Sequence, residues 1–128
     1  MPLQQGDRLI GIKAVVTRYI SDEPQPGWAE CEMTDAHGRV WRFNDKLIFL
    51  DSTGDMRADS RFPLPTAIYC RVIERRTTDT GFDVVVVDTD FPYYLESVEG
   101  ETKFEVVPTE LVELNFLCSD VRPWNGIA

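Results

Sequence analysis

The chain has 128 residues, 22 of them acidic and 13 basic, a net charge of −9 and 43% hydrophobic content. That length suits one domain with a sizeable core, and the apolar content is that of a globular chain rather than a disordered or membrane one. The negative charge opposes binding to nucleic acid or to anionic membranes. No apolar run approaches the roughly 20 residues that span a bilayer. The start, MPLQQGDRLIG, lacks the charged and apolar regions of a signal peptide, so a cytoplasmic protein is expected. Three cysteines, Cys31, Cys70 and Cys118, form no C-x-x-C pair and are expected to be reduced. Cys31 and Cys70 fall at inward strand positions, where a free thiol packs as a small apolar group.

Taken in order, Leu9–Ile20 is rich in β-branched residues and predicts a long first strand, bent at Gly11, with Ile10, Ile12, Ala14 and Val16 on one face. Ser21–Gly27 breaks it with two prolines and a glycine. Trp28–Leu50 then reads as a hairpin turning at Asp35-Ala36-His37-Gly38. Ala29, Cys31 and Met33 alternate with Glu30, Glu32 and Thr34, and Trp41 and Phe43 alternate with Arg42 and Asn44, which gives one apolar and one wet face. Burial of the Trp41 and Phe43 rings would stabilise it by roughly 2–3 kcal/mol each. Lys46–Leu50 reads as a continuous apolar run, Leu47 to Leu50, and predicts a strand buried on both faces or one crossing a barrel corner.

Asp51–Pro65 has no period and predicts a long loop, pinned by Phe62. Thr66–Arg76 and Phe82–Thr89 predict a second hairpin across Thr77–Gly81, with the four valines of the second strand inside the sheet. Asp90–Lys103 combines Phe91-Pro92-Tyr93-Tyr94 with Glu96, Glu99 and Glu101; a short strand over Tyr94–Val98 would pair across Gly100 with Phe104–Val107. Pro108-Thr109-Glu110 predicts one helical turn over Thr109–Val112, and Leu114–Cys118 a last strand or arm. The expectation is therefore a single all-β domain, residues 1–128, with a flexible tail from about residue 119. It is a small antiparallel barrel or sandwich of six to eight strands with at most one short helical turn near the C-terminus.

The signs of enzymatic chemistry are weak, so a non-enzyme is favoured. The single histidine, His37, sits at a hairpin tip, where a catalytic base would be solvated and poorly held. One histidine and dispersed cysteines make no zinc set, and Asp51, Asp55 and Asp59 lack the spacing of a Ca²⁺ loop. Nucleotide and hydrolase motifs are absent from the sequence. No metal or other cofactor is expected. Asp88 and Asp90 could act as an acid–base pair, but close carboxylates are common in so acidic a chain. Arg71, Arg75 and Arg76, joined by Arg39 and Arg42 near Trp41 and Tyr69, could form a basic stripe; pairing with Glu30, Glu32 and Asp83 is the simpler role.

Charge is distributed unevenly. Residues 1–80 hold twelve acidic and eleven basic residues, whereas residues 81–128 hold ten acidic and only Lys103 and Arg122 as cations. This suggests a non-enzymatic protein-interaction module of adaptor or immunity type. It would have Phe91, Tyr93 and Tyr94 as anchors, Glu96, Glu99, Glu101 and Glu105 around them, and a basic protein as partner. Homodimerisation through a strand edge is a variant of it. The alternative is a ligand-binding or enzymatic barrel with a pocket walled by Trp28, Trp41, Tyr69 and Phe82.

Overall fold

The computed structural model describes residues 8–23, 27–115 and 121–124. Eight strands are present among them: β1 (Arg8–Ser21), β2 (Trp28–Thr34), β3 (Val40–Lys46), β4 (Leu64–Thr77), β5 (Asp83–Asp88), β6 (Lys103–Val106), β7 (Leu111–Asn115) and β8 (Val121–Pro123). One helical turn, α1 (Leu47–Leu50), and one 3₁₀ turn, Pro108–Glu110, interrupt them. The strands form one curled antiparallel sheet, a half-barrel, in the order β3-β2-β1-β4-β5-β6, with β7 on β1 and β8 on β7. The all-β expectation holds.

β1 is the organising strand. Ile10–Val16 pairs with β4 along one edge. The opposite edge is shared: Arg8–Ile12 takes β7, and Val15–Ser21 takes β2. Fourteen residues are needed because three strands hang on this one. The register of β1 against β2 shifts between Val16 and Arg18 and again between Tyr19 and Ser21. The extra residue, Thr17, lies 3.1 Å from the Glu30 carbonyl and donates to the Glu30 carboxylate at 2.7 Å. A bulge adds twist, which curls the sheet. Gly11 serves close packing: a Cβ there would lie 2.8 Å from Leu114 Cδ1 and 2.9 Å from the Ala67 methyl.

The concave face holds the main core, including Ile12, Val16, Cys31, Met33, Phe43, Leu50, Ile68, Leu95 and Leu111. Its residues come from the inward half of each alternation, as expected for β1, β2 and β4. A smaller cluster of Leu9, Ala67, Tyr69, Val112 and Leu114 covers the outer face of β1, β4 and β7.

Three segments differ from their expected form. Leu47–Leu50 is a helical turn that buries Leu47 and Leu50 and leaves Ile48 59% exposed. A four-residue apolar run fits either period, and only i,i+3 burial decides it. Residues 94–98 form no strand; Val98 N–H instead donates to the Arg42 carbonyl at 2.9 Å. The turn expected over Thr109–Val112 is the 3₁₀ turn Pro108–Glu110, and Leu111 and Val112 already belong to β7. Further on, Val121–Pro123 forms β8, and Trp124 is docked, its backbone N–H donating to the Leu111 carbonyl at 3.2 Å. Residues 116–120, with Cys118, lie outside the described residues.

The outer strands of the sheet path, β3 and β6, approach each other without joining a ladder. Ala36 N–H donates to the Glu105 carbonyl at 2.7 Å. The Trp41 and Phe43 rings meet Phe104 edge-on, with centroids 5.0 and 5.7 Å away. This near-closure brings the β2–β3 hairpin tip against the acidic segment that leads into β6.

Candidate functional site

Thr89 fixes the segment between β5 and β6. It is fully buried; its N–H donates to the Thr102 carbonyl and the Leu95 N–H donates to the Thr89 carbonyl, both at 2.9 Å. Its hydroxyl donates to the Leu95 carbonyl. Leu95 is fully buried in the core, and Ser97, also buried, ties the next turn through Glu101 N–H at 3.1 Å. Thr89, Leu95 and Ser97 thus fasten both ends of a short loop. Sequence reading passed over them, because a buried Thr or Ser looks like any turn residue until its partners are known.

Between these anchors the side chains divide. Tyr93 turns inward and stacks on Phe49 of α1, centroids 4.5 Å apart at 24°, and meets Tyr69 edge-on at 5.6 Å. Burial pushes the hydroxyls of Tyr69 and Tyr93 above their ordinary pKa, so both stay neutral near pH 7. Phe91, Tyr94 and Val98 turn outward and are 41%, 61% and 56% exposed. Tyr94 has φ +53°, among the described residues the one left-handed residue that is not glycine. Such a conformation costs an aromatic residue on the order of 1–3 kcal/mol and persists only where flanking bonds enforce it.

The carboxylates of the segment also divide. Asp90 accepts two bonds from the Arg71 guanidinium, at 2.8 and 3.0 Å, and these hold its carboxyl below the usual range. Asp88 is buried, lies 3.6 Å from Arg71 and accepts the Asp90 N–H at 3.0 Å. The pair therefore forms a bracket around Arg71. Glu99 reaches Arg39 at 3.4 Å; Glu105 meets His37 Nε2 at 2.5 Å and also Arg76. Glu96 and Glu101 have no cation within 4 Å among the described residues.

The basic stripe is consumed in the same way. Arg71, Arg76 and Arg39 hold the carboxylates just named, Arg42 pairs with Glu32 at 2.9 Å, and Arg75 lies 5.3 Å over the Trp124 ring. His37, expected to be a loose tip residue, is held by Glu105 and by an edge contact with Phe82 at 6.5 Å. Its Nε2 is the nitrogen engaged by the Glu105 carboxylate. Burial raises the Cys31 thiol to about 12 and also raises Cys70, so neither is a nucleophile at neutral pH.

Trp28, Trp41, Tyr69 and Phe82 are not brought together. Trp41 packs in the concave core, Tyr69 belongs to the outer cluster, Phe82 is exposed at the β4–β5 turn, and Trp28 is half-buried opposite Lys46. The main hollows lined by described residues lie elsewhere, around Lys13 and between Asp51 and Arg57. Asp51 spends its carboxylate on the Thr53 N–H and hydroxyl and the Met56 N–H, at 2.9, 2.5 and 2.9 Å, which folds the long loop onto itself. No family model, curated protein or solved structure matches the chain.

Proposed function

We propose that the chain is a non-enzymatic protein-interaction module whose contact surface is the outward side of residues 91–101. The observation that supports this is Tyr94, a 61% exposed aromatic ring held at φ +53° between the half-buried Tyr93 and the buried Leu95. Folding gains nothing from presenting that ring to water, whereas a preformed aromatic anchor is what an interface uses. Phe91 and Val98 extend the apolar surface, and Glu96 and Glu101 supply negative charge that no internal cation cancels. Glu99 and Glu105 fasten the segment to Arg39, His37 and Arg76. The partner is a protein with a basic, aromatic-accepting surface. We place the module in the cytoplasm, in keeping with the buried free thiols of Cys31 and Cys70.

The test is affinity capture with three baits: the wild type, Phe91→Ser/Tyr94→Ser and Glu96→Lys/Glu101→Lys. A basic protein retained by the wild type and lost from both variants is the expected result. Equal capture by all three baits removes the proposal. Sedimentation of the same baits separates self-association through the outer edges of β3, β6 or β8 from binding of a second protein.

A further inference from the structure

Lys13 stands in mid-β1 on the outer face, opposite Ala67 of β4. It is exposed, and its ammonium has no hydrogen-bond or ion-pair partner among the described residues. Two hollows meet at it. One, of about 550 Å³, runs from Lys13 over Val112 to Pro123 and Trp124, with Thr109 and Arg122 at its rim. The other, of about 290 Å³, lies between Lys13, Val112, Pro65, Ala67, Ser52 and Thr53. Because Lys13 and Val112 line both, the hollows adjoin across these two side chains.

The chemistry of this groove departs from that of the rest of the chain. Acidic residues outnumber basic ones 22 to 13, yet among the described residues no carboxylate lines either hollow. Its walls are otherwise apolar, hydroxyl-bearing or, in Trp124, flat and aromatic. Trp124 is set in place by its N–H bond to the Leu111 carbonyl and by Arg75, 5.3 Å from its ring. Arg122 stands opposite Glu113 in the β7–β8 register, so Lys13 is the cation that counts here. A third hollow of about 230 Å³, on the other side of Lys13, carries Glu32 and Glu110, and Glu32 is already bonded to Arg42. Lys13 therefore marks the boundary between a carboxylate-bearing surface and a carboxylate-free groove.

We propose that this groove binds a small apolar monocarboxylate, with the carboxylate on the Lys13 ammonium and its flat or aliphatic body along Val112, Pro123 and Trp124. An ammonium beside apolar walls can take an anion in a charge-assisted hydrogen bond. The volume is in the range of small-molecule sites, whose few polar groups fix orientation while apolar walls supply contact area. With one cation that has no partner among the described residues, the groove favours one negative charge. This inference uses none of residues 91–101 and stands or falls apart from the proposed module.

The full-length protein, isotope-labelled, is titrated with naphthalene carboxylate and with its neutral carboxamide. The Trp124 indole signal is assigned by its loss in Trp124→Phe. The carboxylate should shift that signal and the Val112 amide, and Lys13→Gln should weaken it about tenfold or more, with Lys13→Arg retaining binding. The carboxamide should bind more weakly than the carboxylate and equally to wild type and Lys13→Gln. Circular dichroism checks that the variants keep the fold, which an exposed lysine allows. The proposal is overturned by an unmoved Trp124 signal, by undiminished binding to Lys13→Gln, or by a carboxamide that binds as tightly as the carboxylate.

Discussion

Asp35 illustrates how one carboxylate fixes the end of a hairpin. One of its oxygens accepts the N–H groups of His37 and Arg39 at 2.8 and 3.0 Å; the other accepts the Trp41 indole N–H at 2.9 Å. Partial burial raises its pKa, but the bonds from Trp41, His37 and Arg39 outweigh that and hold the carboxyl below its usual range. A folded-state pKa below the unfolded one adds stability above the unfolded value, and that stability is lost as pH falls through the folded value. Wild type should thus lose urea resistance below about pH 4. Asp35→Asn, less stable by roughly 1 kcal/mol at pH 7, should lose less over that acid range. Parallel midpoint curves for the two proteins would sink this account. The turn itself was legible, because Asp and Gly at the two ends of a four-residue turn have local reasons to be there. The Trp41 bond was not, since it depends on a cross-strand register.

At the scale of elements, α1 separates local pattern from tertiary choice. Leu47–Leu50 carries four apolar residues in a row, which a strand and a helical turn satisfy equally. The chain turns helical there because Leu47 and Leu50, three apart, both reach the concave core while Phe49 stacks on Tyr93. Leu50→Ala should cost about 2–5 kcal/mol of unfolding free energy, and Ile48→Ala less than about 0.5 kcal/mol. A two-faced buried strand would make both costly, so comparable losses in urea unfolding argue against the helical turn. The same logic applies to Tyr94–Val98, expected as a short strand pairing across Gly100. Its backbone groups bond instead to Thr89, Glu101 and Arg42, three separate places.

For the whole molecule, the charge asymmetry along the chain becomes a matter of folding back. The acidic C-terminal part lies against the cations of the earlier strands through Glu105 with His37 and Arg76, Glu99 with Arg39, and Asp90 with Arg71. Exposed pairs of this kind contribute about 0–1 kcal/mol each, while the net charge of −9 leaves repulsion across the surface. Added salt weakens both, and the uncompensated charge is the larger effect. Raising sodium chloride from about 0.02 to 0.5 M at pH 7 should hold or raise the urea midpoint. A clear fall would mean that the pairs dominate.

The sequence by itself determined the strand-rich class, the two hairpins, the inward faces of β1, β2 and β4 and the inert buried cysteines. These follow from side-chain period and turn chemistry, which act over a few residues. Only the tertiary structure decided that β1 carries three strands, that the hairpin tip meets β6, and that the four rings of the expected pocket lie apart. It also decided which glutamates are spent on internal arginines, which aromatic of the Phe91–Tyr94 cluster faces water, and that Lys13 borders a groove free of carboxylates. Each of these depends on pairing between segments distant in sequence, where no local preference selects the partner.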